Sequence, residues 1–277
     1  MQIIADCGSS KTDWILGNHR AEATTLGYNP NYGDGESFIN SVQRKLADWP
    51  VNAEDLTVHF YGSGQFDVAS NMTKQLLRVV FPKAKFVIQH DLMGACRATA
   101  GKSAGIVAIL GTGSNSCVFD GEKIVDQIPS LGYALGDEGS GNYIGRLFLR
   151  AYAYRTMPEH LNSIVEEAFP GKIDEIKKQF FSSKQPSVFL ANFGALFREK
   201  MEDDFVQDII RKAFHHFTQD HLVKYSKFNY TKVHFVGSVA YYHSALLAEE
   251  LSKIGLELGN TIQRPIDGLV DFHLKND

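Results

Sequence analysis

The chain alternates short apolar runs with glycine-rich bends and helical stripes. Ile3-Ile4-Ala5 reads as a strand that stops at Asp6-Cys7-Gly8-Ser9-Ser10 and resumes near Asp13-Trp14-Ile15-Leu16, which predicts a hairpin through small residues. Thr57-Val58-His59-Phe60-Tyr61 and Lys85-Phe86-Val87-Ile88-Gln89 read as further strands. Helical patterns lie between them: Phe38, Ile39, Val42 and Leu46 share one apolar face, and Val68, Met72, Leu76 and Val79 share another.

A second hairpin starts at Ile106-Val107-Ala108-Ile109-Leu110, turns through Gly111-Thr112-Gly113-Ser114-Asn115 and returns along Ser116-Cys117-Val118-Phe119. Two strand–glycine bend–strand units, about a hundred residues apart, suggest a duplicated architecture. Residues 141–225 read as mostly helical, with stripes at Ile144, Leu147, Phe148 and Ala151, at Phe189, Phe193, Leu196 and Phe197, and at Phe205, Ile209, Ala213 and Phe217. A last strand over Lys232–Val236 meets Gly237-Ser238 and a helix carrying Tyr242, Leu246 and, at its far end, Ile254. No Pro-, Gly- or Ser-rich linker stands out, so the boundary is placed by pattern: lobes 1–103 and 104–277, the last residues being free to return to the first lobe.

Composition changes this picture little. The chain has 277 residues, 44% hydrophobic and 22% charged, which is enough for a substantial core. Its net charge of -4 lacks the basic excess of a nucleic-acid binder. Backbone amides can still bind a small anion. Cys7, Cys96 and Cys117 are isolated, with no CxxC pair, so neither a disulfide framework nor a structural zinc site is expected. A reducing, cytoplasmic setting fits. The start, Met1-Gln2-Ile3-Ile4-Ala5-Asp6, lacks the pattern of a secretory signal, and no apolar run approaches a membrane span.

Five short motifs carry candidate chemistry. In Asp6-Cys7-Gly8-Ser9-Ser10-Lys11-Thr12-Asp13, small residues let N–H groups approach a phosphate. Ser10 and Thr12 add hydroxyls, Lys11 adds a cation, and Asp6 at the strand end suits water-mediated Mg2+. A plain hairpin with an exposed lysine would read the same way. Leu110-Gly111-Thr112-Gly113-Ser114-Asn115-Ser116 repeats the physics, but it is neither a Walker A loop nor a dinucleotide fingerprint. His90-Asp91-Leu92-Met93-Gly94-Ala95 puts Asp91 at a sheet edge, where an ordinary helix cap is the competing role. Gly132-Tyr133-Ala134-Leu135-Gly136-Asp137-Glu138-Gly139-Ser140 sets two acids among glycines, suited to sugar hydroxyls or simply to a helix dipole. Phe235-Val236-Gly237-Ser238-Val239-Ala240 lets a flat ring or phosphate lie against the backbone, as an ordinary strand-to-helix turn also would.

In this order, from Asp6 to about Leu247, the motifs resemble the actin-like ATPase and sugar-kinase superfamily. More narrowly they resemble its N-acetylglucosamine kinase and acyl-CoA-dehydratase-activator (BadF-BadG-type) ATPase family. Gly111-Thr112-Gly113-Ser114-Asn115 and Gly136-Asp137-Glu138-Gly139-Ser140 are the most specific segments. The resemblance implies an α/β, two-lobed, ribonuclease H-like duplicated fold with the nucleotide cleft between lobes. It implies ATP and Mg2+ as cofactors. Gly8, Ser9, Ser10, Lys11 and Thr12 fall on the first phosphate loop, Gly111, Thr112 and Gly113 on the second, and Gly237 and Ser238 on the adenosine motif. Asp91 falls on the catalytic carboxylate, Asp6 on the metal. Asn29, Asn115, Asp137 and Glu138 fall on the sugar site. The implied reaction phosphorylates an amino sugar, N-acetylglucosamine at its primary hydroxyl first among them. The expected partner is a small sugar, with neither nucleic acid nor membrane, and a homodimer is compatible with it.

Two departures from the family pattern stand out. The chain is short, and the family's small-residue C-terminal helix is reduced to Pro265-Ile266-Asp267-Gly268-Leu269. The Gly62-Ser63-Gly64 turn is similar to one in the family's first domain. Two alternatives stay open: an ATPase that activates a partner enzyme through a cysteine-held iron–sulfur cluster, and a non-catalytic sugar or nucleotide sensor.

Overall fold

Apolar runs and glycine bends set the order of elements. Strands β1 (Gln2–Cys7), β2 (Lys11–Leu16) and β3 (Ala21–Leu26) precede α1 (Gly35–Lys45), β4 (Thr57–Gly62), α2 (Asp67–Val80), β5 (Lys85–His90) and α3 (Asp91–Thr99). Then come β6 (Gly105–Leu110), β7 (Ser114–Phe119) and β8 (Ile124–Ile128). The helical stretch follows as α4 (Gly132–Leu135), α5 (Gly141–Ala153), α6 (Glu159–Ala168), α7 (Lys172–Ser182), α8 (Pro186–Ala195) and α9 (Asp204–Asp220). A 3-10 segment, Leu222–Phe228, leads to β9 (Lys232–Val236), α10 (Ser238–Tyr242), α11 (Ser244–Ser252), β10 (Glu257–Ile262) and α12 (Pro265–Leu274). This computed structural model describes every residue except Ser9, 18–20, Tyr32, Phe66 and 275–277.

The chain divides into two compact units. The first gathers residues 1–104, 120–124 and the segment from Arg264 onward; the second takes Gly105–Phe119 and Val125–Gln263. Each holds a five-stranded sheet of one plan. In the first the order is β3-β2-β1-β4-β5, with β1 antiparallel to β2 and parallel to β4. In the second the order is β8-β7-β6-β9-β10, with β6 antiparallel to β7 and parallel to β9. The duplication suggested by the two hairpins is therefore a repeated strand topology.

Strand pleat decides which residues meet which layer in the first unit. Ile3, Ala5, Cys7 and Trp14 face one side, with Phe38 of α1 and Phe60. Ile4, Ile15 and Tyr61 face the other, covered by Ile266, Leu269 and Val270 of α12. The same alternation puts Asp6, Lys11 and Asp13 on the α12 side. In the second unit, Ile106, Ala108 and Leu110 pack with Ile144 and Phe148 of α5 and with Phe214 and Phe217 of α9.

The structure corrects several expectations. Helix α2 forms, but Val68 and Val79 are 73% and 62% exposed, whereas Thr73, Leu77 and Val80 face inward. The buried row lies one residue further on, a turn of about 100°, set by the fully buried Phe81 where the helix ends. The helix after Gly237 breaks at His243 into α10 and α11, leaving Tyr242 exposed and Ile254 beyond the helix end. Strand β9 is followed by another strand, β10, bulged between Leu258 and Thr261. The C-terminal segment is a ten-residue helix, not a remnant. It packs so closely on α3 that a Cβ on Gly268 would lie 2.4 Å from the Ala98 carbonyl oxygen.

Candidate active site

Strands β1, β4 and β5 are parallel, so their C-terminal ends share one edge of the first sheet. Cys7 pairs with Gly62 and Gly62 with His90. Asp6, the Gly62-Ser63-Gly64 turn and Asp91 thus gather at that edge, where open α/β sheets bind ligands. Asp91 is the first residue of α3, and the cap position belongs to His90, not Asp91. The Asp91 Oδ1 accepts the Leu92 N–H at 2.7 Å and lies 2.8 Å from His90 Nδ1.

Asp6 and Asp13 are cross-strand partners on the α12 face. Asp13 is 4% exposed and well neutralised: Lys11 Nζ lies at 2.7 Å, Arg264 Nε at 3.4 Å, and the Thr24 hydroxyl donates to it at 2.8 Å. Asp6 is not neutralised in this way. Burial first, then the charges of Asp91 and Asp13, push its pKa up to about 7 against the weaker pull of Lys11 and Arg264. A carboxyl so crowded by anions suits a divalent cation, which supplies the missing charge. Among the described residues no three His, Cys, Asp or Glu side chains converge as a metal cage.

The first hairpin turn closes through Gly8 N–H to Lys11 O at 2.9 Å, with Gly8, Ser10 and Lys11 exposed. Ser9 lies outside the described residues. Thr12 corrects the sequence expectation: its hydroxyl is buried and donates to the Leu26 carbonyl at 2.9 Å, and its backbone sits in β2 between β1 and β3. Asn29 is 8% exposed and braces the turn after β4: its Nδ2 donates to Ser63 Oγ at 3.1 Å, and its Oδ1 accepts the Asn31 N–H at 3.0 Å.

In the second unit the bend after β6 is tighter. Gly111 N–H donates to Gly113 O at 3.0 Å and Ser114 N–H to Asp137 Oδ1 at 3.3 Å. The N–H groups of Thr112 and Gly113 find no partner among the described residues, a small concave pair of donors of the kind that binds phosphate. Gly237 touches this bend. Its φ is +119°, and a Cβ there would lie 2.3 Å from the Leu110 carbonyl oxygen. Ser238 then opens α10 beside it.

Asp137 is tied to the same bend. It adopts the left-handed region at φ 60°, strain of the sort stored at functional sites. Asn142 Nδ2 donates both to Asp137 Oδ2 at 2.7 Å and to Thr112 O at 2.6 Å. Ser130 donates to Asp137 Oδ1 at 3.3 Å. Burial raises the Asp137 pKa, these donors lower it, and Glu138 raises it again. The helix cap is Ser140, so neither acid is needed for that task. Nearby, Ser114 Oγ and Asn142 Oδ1 are buried without a hydrogen-bond partner among the described residues, polar atoms that a ligand or water could satisfy. Asn115 Oδ1 accepts from Gln127 Nε2 at 3.1 Å. Glu138 keeps 18% of its side chain exposed and faces His221.

Asn142, Ser130 and Arg264 escaped the sequence reading. Asn142 follows Gly141 directly after the acid-bearing string, and Arg264 stands just before Pro265; both positions were legible as polar neighbours of motifs. All three cysteines are buried and none forms a disulfide among the described residues, and burial pushes the Cys7 thiol up to about 12. Among the described residues no helix is long and apolar enough to cross a membrane.

No protein-family model matches the chain. A crystal structure of the putative N-acetylglucosamine kinase from Porphyromonas gingivalis is similar over 100% of this chain and 99% of that one, at 32% identity and TM-score 0.93. A putative N-acetylglucosamine kinase from Chromobacterium violaceum matches over 98% of both chains at 15% identity and TM-score 0.73. A ROK family glucokinase from Streptomyces griseus, in complex with glucose and AMPPNP, matches over 98% of both chains at 15% identity and TM-score 0.62. The last two bear on the fold alone.

Proposed function

The chain belongs to the N-acetylglucosamine kinase family of the actin-like ATPase and sugar-kinase superfamily, and on that premise we propose that this ATP-dependent sugar kinase phosphorylates an amino sugar, N-acetylglucosamine at its 6-hydroxyl. The observation that carries this reading is the bridge made by Asn142, one amide hydrogen-bonded to both the Asp137 carboxylate and the Thr112 carbonyl of the glycine bend. It locks a carboxylate suited to sugar hydroxyls against a bend suited to phosphate.

Phosphoryl transfer asks the protein mainly to position groups and to stabilise charge. In this reading Asp91 accepts the proton of the attacking hydroxyl as the new O–P bond forms and ADP departs. Phosphate oxygens are taken by the turn at Gly8, Ser10 and Lys11 and by the N–H groups of Thr112 and Gly113. Gly237 and Ser238 serve the adenosine. Asn29, Asn115, Asp137 and Glu138 serve the sugar. Asp6 would hold Mg2+ through water, and the ion when bound offsets the phosphate charge.

The test is ADP release with Mg-ATP across a panel of amino and neutral hexoses, with the product located by NMR. We expect N-acetylglucosamine to give the highest kcat/KM and a 6-phosphate product. ADP release with none of the sugars would end this reading.

A further inference from the structure

We propose that His221 is the positioning residue for the Glu138 carboxylate, and through it for recognition of the acceptor sugar; this rests on the sugar-kinase reading above. Of the two adjacent acids, Asp137 is nearly enclosed and already accepts from Ser114, Ser130 and Asn142. Glu138 keeps open surface, so it is the acid with capacity left for a ligand. Its Oε2 lies 3.4 Å from His221 Nε2.

His221 follows the last turn of α9. It is 5% exposed, and its ring stacks on Phe217 with centroids 5.0 Å apart. Behind it runs a buried polar chain. His221 Nδ1 is 3.4 Å from Ser116 Oγ, which is 3.0 Å from the Tyr225 hydroxyl. Tyr225 donates its one proton to the Ser116 carbonyl at 2.9 Å and accepts the Ile128 N–H at 2.9 Å.

An ionised Glu138 carboxylate can only accept, and that assigns the His221 proton to Nε2. Because the Tyr225 proton goes to the Ser116 carbonyl, the Ser116 hydroxyl proton is free to go to His221 Nδ1. A neutral imidazole accepting at Nδ1 carries its own proton at Nε2, the atom that faces Glu138. The Nε2 proton then meets the Glu138 carboxylate and Nδ1 accepts from the Ser116 hydroxyl. The chain anchors Glu138 to β7 and to the 3-10 segment, both built into the core of the second unit. The carboxylate is thereby held in one orientation to accept from a sugar hydroxyl or an acetamido N–H. A carboxylate lacking this anchor would lose orientation, and with it acceptor affinity rather than phosphate handling.

Two measurements test this. In nitrogen-15 histidine NMR of the whole protein, His221 is expected in the neutral form protonated at Nε2, and E138Q is expected to shift the Nε2 resonance. The Nδ1-protonated form, or indifference to E138Q, would overturn the proposal whether or not the protein turns over a sugar. In kinetics, H221F should raise the sugar KM by about tenfold, the scale of one charge-assisted hydrogen bond, while the ATP KM moves less than about twofold. H221Q, which can place an amide donor toward Glu138, should recover most of the loss. Equal losses for H221F and H221Q, or matched changes in both KM values, would show a merely structural histidine. If no sugar is phosphorylated, the kinase reading fails while the NMR result still decides the His221–Glu138 pairing.

Discussion

Asp6 holds its proton up to about pH 7 because burial and the charges of Asp91 and Asp13 oppose its ionisation. A raised carboxyl pKa contributes stability that is fully present below the unfolded value of 3.8 and is lost as pH climbs through about 7. In EDTA, D6N should therefore exceed the wild type in urea stability near pH 8 by about 2–4 kcal/mol, discounted for the solvent Asp6 retains. The two should converge near pH 4. Parallel stability curves at both pH values would refute this charge conflict. Mg2+ should raise the wild-type Tm near pH 8 and leave D6N unmoved. For D91N, kcat should fall by at least about 100-fold, the lower end for general-base help, with nucleotide affinity kept in calorimetry. Unchanged turnover would reduce Asp91 to a helix-start residue. The glycines near the second bend separate binding from folding. Gly111 has nothing within 4 Å of where its Cβ would sit, so G111A should keep its Tm and raise the ATP KM. Gly237, left-handed and pressed on Leu110, should lose stability as G237A before any binding effect can be read.

Helix α12 is the element whose weight the sequence hid. Gly268 lets it approach the Ala98 carbonyl of α3, while His273 ties it to the sheet through the Tyr61 hydroxyl of β4 at 2.8 Å. G268V should cost about 1–3 kcal/mol through overpacking, visible as a lowered urea midpoint with an unchanged slope; wild-type stability would mean that the α3–α12 contact yields easily. Strands β1 and β6, central in their sheets, were legible because buried strands paired in parallel carry continuous apolar runs, and β4 and β5 through their Val, Ile, Phe and Tyr content. Strand β3 was not, since Ala21-Glu22-Ala23-Thr24-Thr25-Leu26 alternates small and polar residues at a sheet edge, and Thr25 earns its burial by accepting the Trp14 indole N–H. The glycine bends and their acids were legible as strings. The Asn142 bridge and the Arg264 contact with Asp13 were not, because each joins side chains that only tertiary folding brings together. The inward face of α2 was misread by one residue because Phe81, outside the periodic stretch, fixes the rotation.

At the scale of the whole molecule, the chain leaves the first unit after Ala104, revisits it over Asp120–Ile124, and returns for good at Arg264. A fragment ending at Ser103 contains the five strands of the first sheet but lacks the helix that covers Ile4, Ile15 and Tyr61. Such a fragment should bind ANS and show poor chemical-shift dispersion, and adding a peptide of residues 264–274 should restore dispersion. A well-ordered fragment without the peptide would refute the dependence. On the ribosome the same arrangement reverses the usual order of completion. The portion made first stays half-clothed until the last portion emerges, while the middle of the chain can finish ahead of both. Nascent chains of this protein should therefore present an unprotected apolar face at the amino-terminal side throughout elongation, a stretch of time in which trigger-factor-type holdases have something to grip.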